Sequence, residues 1–467
     1  MFNIDFSKPC HVHFIGIGGI SMSGLAEILL DRGFTVSGSD NNPSPVTQRL
    51  SQLGAGIMCP QSADNVKGGI DLVVYTAAIH PDNPEFAACK ACGLTMITRA
   101  ELLGAIMEHY GNSVAVAGTH GKTTTTGMIT EILLAADKDP TVSIGGMFSS
   151  IGGNIRVGAS DVFLTEACEY TNSYHEFYPK YNVILNVEED HMDFFKDIDD
   201  IRASFSRFAK NTSNDGTLVI GAAVPRWQEL TEGLDCKVVT FGEDEGADYY
   251  PSDISVSGGV ARFTVMEKGT PVTTVELKVV GRHNITNALA SFAITRAMGI
   301  EPETIAAGLS RFTGTGRRFE YKGEYRGAAV YDDYAHHPTE IAATISAARQ
   351  LEHKRLIVTF QPHTYTRTKA FLEDFARVLS AADIVVLCAV YPAREEDIYG
   401  VHSDDIKRLI DRRIADKADG CKALECHCFD TFDEAQNFLE KISSTGDLLI
   451  TMGAGDVVKI GEALLAK

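Results

Sequence analysis

Long apolar runs are missing from this 467-residue sequence. A helix needs about 20 consecutive apolar residues to cross a bilayer, and a stretch such as 384–391 (IVVLCAVY) has only the length of a buried strand. The N-terminus also lacks the pattern of a signal peptide, because Asp5 offsets Lys8 and glycines and serines interrupt the apolar segment that follows. We therefore expect a cytoplasmic protein with no membrane partner.

Blocks of basic residues are absent as well. The chain has 42 Lys and Arg against 62 Asp and Glu, which gives a formal net charge of −20. Binding of DNA or RNA depends on clustered cations, so this balance predicts no nucleic-acid partner. The 10 cysteines are scattered and do not form two matched pairs, which argues against a zinc site or a disulfide framework.

Short apolar strands alternate with helical segments along most of the chain, which predicts an α/β fold with parallel sheets covered by helices. At about 150 residues per domain, the length predicts three domains. We place a Rossmann-like domain at 1–111, a P-loop ATPase-like domain at 112–313 and a second Rossmann-like α/β domain at 314–467. Strand-like runs with glycine-containing turns between 215 and 280 predict a small antiparallel patch beside the central sheet.

The stretch GTHGKTTTT (118–126) predicts a loop that binds the phosphates of ATP. An apolar strand leads into it and a helix leads out, although Val116 stands where a full Walker A motif has glycine. Backbone N–H groups of such a turn cradle phosphate oxygens, while Lys122 reaches the outer phosphates and the Thr123 hydroxyl binds Mg²⁺. The predicted ATP-binding residues here are Gly118, Thr119, His120, Gly121, Lys122, Thr123 and Thr124.

Magnesium needs further ligands, and the carboxyl ends of two apolar strands offer them. DVFLTE ends in Glu166, and NVEEDHMD carries His191 between Asp190 and Asp193. Because strand ends of a parallel sheet share one edge, we expect Thr123, Glu166 and His191 to form the metal site of a phosphoryl-transfer centre.

A second glycine turn lies near the N-terminus, in HFIGIGGISMSG (13–24). Gly16, Gly18 and Gly19 follow a strand, and Asp40 ends the next one, but Ser21 replaces the third glycine of the dinucleotide fingerprint. A glycine turn at a helix N-terminus binds a pyrophosphate of any kind. The pattern therefore leaves NAD, a UDP-sugar and a simple packing turn open.

Cationic and imidazole groups follow later strands, in TGTGRRFEYKG, VYDDYAHHPTE and TFQPHTYTRT. We interpret Arg318, His336 and Arg367 as cations around a transferring phosphate, in preference to a solvated surface cluster.

Nine motifs in order over essentially the whole chain resemble those of the Mur ligase family, which builds the peptide of peptidoglycan. They are HFIGIGGISMSGLAEIL with GSD, GTHGKTTTT, EACEY, NVEEDHMD, GRHNITNALA, RRFEYKG, DDYAHHPTE, QPHTYTRT and TMGAGD. The resemblance, closest to the alanine-adding branch, implies that the three domains bind UDP-N-acetylmuramate, ATP and L-alanine in turn.

The resemblance also implies roles for individual residues. Gly18 and Gly19 would approach the UDP pyrophosphate, near Asp40, and Asn284 with Asn287 would read the adenine. The residues at the substrate end of the third domain would be Tyr334, His336, His363 and Arg367. The sequence departs from the family's motifs at Ser21, where many relatives carry glycine, and at Thr364, where some relatives carry arginine.

The implied reaction phosphorylates a carboxylate with ATP and then replaces the phosphate with an amine. Two anions must meet in the first step, so charge neutralisation should dominate, with Lys122, Arg318 and the magnesium held by His191 as its agents. His363 or Asp333 would deprotonate the amine. One alternative is a ligase that reattaches a recycled stem peptide to UDP-N-acetylmuramate. From other classes, the alternatives are an NAD-dependent oxidoreductase and a nucleotide-binding regulatory module without turnover.

Overall fold

The structure is a computed structural model that describes residues 4–76, 78–257, 259–393 and 395–467. Its contacts divide the chain into two compact units. The first unit contains the residues up to Val187, Arg202–Tyr250 and Ala290–Gly308. The second contains Glu188–Ile201, Pro251–Leu289 and Leu309–Lys467. No described helix is long and apolar enough to span a membrane.

The N-terminal part of the first unit is a parallel sheet with covering helices. Its strands are β1 (His11–Ile15), β2 (Thr35–Ser39), β3 (Gly56–Met58), β4 (Leu72–Tyr75) and β5 (Thr95–Thr98). Its helices are α1 (Ile20–Asp31), α2 (Pro45–Gln52), α3 (Pro84–Ala91) and α4 (Arg99–Met107). The strand order is β3-β2-β1-β4-β5, so the order reverses at β1, which is the position where ligands bind in sheets of this kind.

The central segment of the chain contributes strands and helices to both units. Its strands are β6 (Asn112–Ala117), β7 (Thr141–Phe148), β8 (Gly153–Arg156), β9 (Val162–Ala167), β10 (Tyr181–Ile184), β11 (Thr217–Gly221), β12 (Lys237–Phe241), β13 (Tyr249–Ser257), β14 (Val260–Glu267) and β15 (Thr270–Leu277). Its helices are α5 (Lys122–Ala135), α6 (Ile198–Ala209), α7 (Trp227–Leu230), α8 (His283–Ala297) and α9 (Pro302–Arg311). Within the first unit the order is β12-β11-β10-β6-β9-β7-β8.

The predicted antiparallel patch is smaller than the sequence suggested. In the second unit, β14 and β15 form an antiparallel hairpin, as expected. The prediction is wrong for β11 and β12, which continue the parallel sheet from β10. The reason is that the chain returns through crossovers containing α6 and α7 between these strands, where a tight turn would have been needed for a hairpin.

The C-terminal part of the second unit forms a third sheet. Its strands are β16 (Glu320–Tyr325), β17 (Ala328–Asp333), β18 (Leu356–Phe360), β19 (Ile384–Cys388), β20 (Glu425–Phe429) and β21 (Leu448–Met452). Its helices are α10 (Pro338–Ala348), α11 (Tyr365–Ala370), α12 (Leu372–Leu379), α13 (Ser403–Ala415), α14 (Phe432–Ile442) and α15 (Val458–Leu465). The order is β16-β17-β21-β18-β19-β20, and only β16 pairs in the antiparallel sense among these described strands.

Apolar side chains fill both faces of this third sheet, which explains the continuous apolar sequence of its strands. Val358 and Ile450 belong to one buried cluster, and their neighbours Ile357 and Leu449 belong to the other. Strands buried on both faces are typical of parallel sheets. The polar residues that follow β17 and β18 are therefore placed at the carboxyl edge of a rigid layer.

Candidate active site

The loop between β6 and α5 has two glycines in the left-handed region of backbone space. φ is 142° at Gly118 and 84° at Gly121, the N-cap of α5. A Cβ on Gly118 would lie 2.9 Å from Leu185 Cβ, so this position admits no side chain without displacement. Among the described residues no side chain caps α5, which leaves the N–H groups of its first turn available to an anion.

Asn186 holds this loop, a role that sequence reasoning missed. Its Oδ1 accepts a hydrogen bond from His120 N at 2.8 Å, and its Nδ2 donates to His120 O at 3.1 Å. Thr119 N also donates to the carbonyl oxygen of Asn186 at 3.3 Å. The amide thus fixes the backbone of the turn at His120. The only signal in the sequence was an asparagine directly after the apolar run of β10.

Lys122 begins α5, and oxygen atoms surround its ammonium group. Nζ donates to the carbonyl oxygens of Gly118 at 2.5 Å and Thr119 at 3.1 Å, and it lies 3.0 Å from Glu169 Oε2. Burial alone would lower the pKa of Lys122, but the Glu169 carboxylate raises it above its usual range. The lysine is therefore a fixed cation at the loop, and Glu169 is a second residue that the sequence did not single out.

Two of the three predicted magnesium ligands lie together in the first unit. Thr123 Oγ1 donates to Glu166 Oε2 at 3.1 Å, and Gly145 N donates to Glu166 Oε1 at 2.5 Å. A hydroxyl and a carboxylate are the oxygen ligands that Mg²⁺ prefers, so this pair fits the ion. The third predicted ligand, His191, belongs to the second unit, where its N donates to Asp190 Oδ1 at 2.7 Å.

The N-terminal glycine turn is closed by the acid at the end of β2. Gly18 N donates to Asp40 Oδ2 at 3.0 Å, and a Cβ on Gly18 would lie only 2.7 Å from that oxygen. The next residue, Gly19, is the N-cap of α1. Ser21, in the place of a third glycine, accepts a hydrogen bond from Arg99 Nη1 at 2.9 Å. The predicted Gly18, Gly19 and Asp40 thus form one structure, with an arginine added by α4.

In the second unit, the segment after β17 is shaped by the start of α10. Pro338 is its first residue, and Glu340 completes a capping box with His337. His336 N donates to Glu340 Oε2 at 3.1 Å, and His336 Nδ1 donates to the carbonyl oxygen of Tyr334 at 3.0 Å. Burial lowers the pKa of His336 to about 4, so its imidazole is neutral at physiological pH, and the interpretation of His336 as a cation is wrong.

Arg318 and Asp333 flank this segment in different ways. Arg318 Nη1 lies 3.7 Å from Glu340 Oε1, and its guanidinium is 5.3 Å from the centre of the Tyr334 ring. Asp333 accepts hydrogen bonds from Ala335 N, Phe319 N and Thr344 Oγ1 at 2.8, 3.1 and 2.9 Å. Burial raises the pKa of Asp333 to about 6.

Arg367, on α11, joins two of the other candidates. Its Nε and Nη2 donate to Asp190 Oδ1 at 3.2 and 2.7 Å, and its Nη1 donates to His363 Nδ1 at 3.2 Å. Burial, with the nearby Arg367 charge, lowers the pKa of His363 to about 4. Thr364, where some relatives have arginine, caps α11 by accepting from Arg367 N at 3.4 Å.

Asn284 and Asn287 lie one turn apart at the start of α8, and both are buried. Asn287 Nδ2 donates to Asn284 Oδ1 at 3.2 Å, and Asn284 Nδ2 donates to the carbonyl oxygen of Val280 at 2.7 Å. The two amides therefore share one face of the helix.

The predicted residues thus fall into two groups. The first unit brings together the phosphate loop with Glu166, and separately Gly18, Gly19 and Asp40. The second unit connects His336 with Tyr334 and Arg318 with Glu340, and it places the His336 ring 5.9 Å from that of His363. The first unit thus has two glycine turns at helix N-termini, an arrangement typical of nucleotide-binding α/β proteins.

Family models match three consecutive parts of the chain. They are the Mur ligase family, catalytic domain, at residues 11–111, the Mur ligase middle domain at 116–295, and the Mur ligase, glutamate ligase domain, at 317–455. The chain belongs to the Mur ligase family, and its fold is the three-domain α/β fold of that family.

Relatives match over the full length. The UDP-N-acetylmuramate–L-alanine ligases of Agathobacter rectalis and Lachnospira eligens are 56% and 53% identical, with 100% of both chains covered in each case. The crystal structure of UDP-N-acetylmuramate–alanine ligase from Thermotoga maritima has a TM-score of 0.80 at 30% identity, with 98% of each chain covered. A murein peptide ligase from Psychrobacter arcticus gives a TM-score of 0.71 at 25% identity, also over 98% of each chain.

Proposed function

We propose that this protein joins L-alanine to the lactyl carboxylate of UDP-N-acetylmuramate, with conversion of ATP to ADP and phosphate. The observation that carries the proposal is the full-length match at 56% identity to a ligase of that name. The phosphate loop with Lys122 and the Thr123–Glu166 pair supports it, because the reaction needs a site for ATP. Both nucleotide substrates are cytoplasmic metabolites, so the reaction belongs in that compartment.

The chemistry follows from the low reactivity of a carboxylate toward an amine. A lactyl carboxylate oxygen attacks the γ-phosphorus of ATP, the bond to the β–γ bridging oxygen breaks, and ADP leaves. The L-alanine amine then attacks the acyl carbon, and phosphate departs with the C–O bonding electrons. Lys122 and Arg318 neutralise the charge that accumulates in the first step.

Magnesium would be held by Thr123, Glu166 and His191. Bound there, the ion would neutralise phosphate charge and orient the phosphate oxygens. The remaining assignments follow the same three-part scheme, with domains at 1–111, 112–313 and 314–467. Gly18 and Gly19 approach the UDP pyrophosphate, and Asp40 belongs to the same substrate site. Asn284 and Asn287 read the adenine, and the L-alanine end consists of Tyr334, His336, His363 and Arg367.

The test is ADP release by the purified protein with UDP-N-acetylmuramate, ATP, Mg²⁺ and each common amino acid in turn. We expect release to require L-alanine and the product mass to equal that of the nucleotide sugar plus one alanine residue. Release with a stem tripeptide and none with free L-alanine would identify the peptide-recycling ligase instead. Nicotinamide oxidation without ADP release would identify an oxidoreductase. ADP release with no amino acid or peptide at all would contradict ligation.

A further inference from the structure

His336 and His363 face each other in the second unit but are protonated on different nitrogens. A backbone carbonyl can only accept a hydrogen bond, so His336 Nδ1, 3.0 Å from Tyr334 O, must carry the proton. The neutral ring then has its lone pair on Nε2. In the described part of the chain, no residue forms a hydrogen bond with this Nε2.

His363 has the opposite arrangement. A guanidinium can only donate, so His363 Nδ1, 3.2 Å from Arg367 Nη1, must accept. The proton of the neutral ring is then on Nε2. The rings are 5.9 Å apart between centroids, and His363 also stacks on Tyr391 at 5.5 Å. One histidine of the pair thus presents a lone pair, and the other presents an N–H group.

The charges around His336 come from several elements. Glu340 on α10 lies 3.4 Å from its Nδ1 and stabilises a protonated ring, as does Asp190 at longer range. Arg367 on α11 opposes protonation, and burial opposes it more strongly. The Tyr334 ring lies against His336 edge to face at 5.6 Å, and the titratable His363 ring lies 5.9 Å away. His336 is therefore neutral at physiological pH, with its Nε2 lone pair available to accept a proton, and Glu340 offsets part of the cost that burial imposes on the imidazolium.

We propose that His336 is the base that deprotonates the incoming amino acid, and that His363 orients that substrate through its Nε2–H group. This inference rests on the proposed ligase function. His336 Nε2 takes one proton from the ammonium group, which frees the nitrogen lone pair to form the C–N bond with the acyl phosphate carbon. The C–O bond to phosphate then breaks, the second N–H proton leaves with the phosphate, and His336 releases its proton to solvent.

The sequence indicated His363 and Asp333 as candidate bases, and the carboxylate of Asp333 is already engaged in hydrogen bonds. Three donors hold its two carboxylate oxygens, and one of them, Phe319 N, belongs to the loop that precedes β16. Asp333 is thereby assigned to holding this loop, which carries Arg318.

The test compares His336→Asn with His363→Asn over a range of pH. The Asn amide of the first variant can still donate to the Tyr334 carbonyl but lacks an atom at the Nε2 position, and that of the second can still accept from Arg367. At about pH 7, His336→Asn should lower kcat/KM for L-alanine by about 10²-fold or more. The loss should shrink toward about pH 9, because solvent then supplies L-alanine as the free amine. For His363→Asn we expect a higher KM for L-alanine, and the resulting loss of kcat/KM should not depend on pH.

The kcat/KM of each variant at every pH is divided by the kcat/KM of the same variant at one reference pH, so a reduced folded fraction cancels from the ratio. His336→Gln serves as a second substitution at the same position. If the loss of kcat/KM in His336→Asn is absent or stays constant with pH, His336 is not the base. If His363→Asn, and not His336→Asn, regains kcat/KM as the pH rises, the two histidines have the opposite roles and the proposal is also wrong. If the unchanged protein releases no ADP with L-alanine at any pH, it is the proposed function that fails.

Discussion

Glu169 Oε2 lies 3.0 Å from Lys122 Nζ, and the Glu169 side chain is only 3% exposed. The pair stands where ATP phosphates are expected, so a carboxylate compensates the lysine before nucleotide arrives. Removing one member of a buried pair leaves an uncompensated charge, which is far more costly than removing both. The structure therefore connects nucleotide binding to the stability of the first unit.

For Glu169→Gln we expect the free energy of unfolding of the nucleotide-free protein to fall by about 3 kcal/mol. ATP should then raise the thermal midpoint of the variant more than that of the unchanged protein, because its phosphates replace the lost charge. Thermal unfolding with and without ATP measures both effects. Glu131→Gln is a matched control, since Glu131 is buried on α5 and accepts a hydrogen bond from Ser150. If ATP raises the thermal midpoint equally in the two variants, the phosphates do not replace the charge of Glu169.

Lys122→Ala should reduce kcat by about 10²–10³-fold, the usual cost of removing one preorganised charge from a transition state. Affinity for UDP-N-acetylmuramate, measured by calorimetry, should remain, because the N-terminal glycine turn is a separate structure. Lys138→Ala is the control, as Lys138 is an exposed lysine just beyond the same helix. Loss of both turnover and UDP-N-acetylmuramate binding would contradict the assignment of the two turns to different nucleotides.

Asn186→Ala should weaken ATP binding by about tenfold, since the His120 backbone loses two hydrogen bonds and the turn loses its support. The measurement is the dissociation constant for ATP. Asn182→Ala removes a buried amide from β10, the strand that precedes Asn186, where Nδ2 donates to Thr212 Oγ1 at 3.0 Å, and it should lower stability without changing ATP affinity. Equal affinity losses in both variants would show that only general destabilisation is involved.

Acid should lower the stability of the N-terminal sheet, because the buried carboxylate of Glu85 becomes protonated. Burial would raise the pKa of Glu85, but its hydrogen bond with His13 at 2.6 Å and further donors lower it below its usual value. A lowered carboxyl pKa gives stability that is present above about pH 4.3, the value for an unfolded chain, and is lost as pH falls through the folded pKa.

Hydrogen exchange of the β1 amides, corrected for intrinsic rates, should therefore show protection falling below about pH 4.3. Glu85→Gln should flatten this dependence, whereas substitution of the exposed Glu108 by Gln should leave it unchanged. The same acid sensitivity in Glu85→Gln as in the unchanged protein would assign the effect to another group.

Local patterns predicted much of the fold and part of the candidate site. Glycines before a helix marked both turns, and their φ values of 85° at Gly16 and 84° at Gly121 show why that residue type is needed there. Asn284 and Asn287 were indicated only by the resemblance to the Mur ligases. The parallel pairing of β11 and β12 was not readable, because strand-like sequence with nearby glycines does not specify which way the next strand runs.

The sequence by itself determined the family, the alternation of strands and helices and the two glycine turns, since each depends on residues that are neighbours along the chain. Tertiary structure alone decided the partners of the charged and polar groups: Glu169 for Lys122, 47 positions away, and Asp190 for Arg367, 177 positions away. It also decided which nitrogen of His336 and of His363 carries the proton. Such choices depend on which donors and acceptors face one another after folding, and spacing in a sequence does not contain that information.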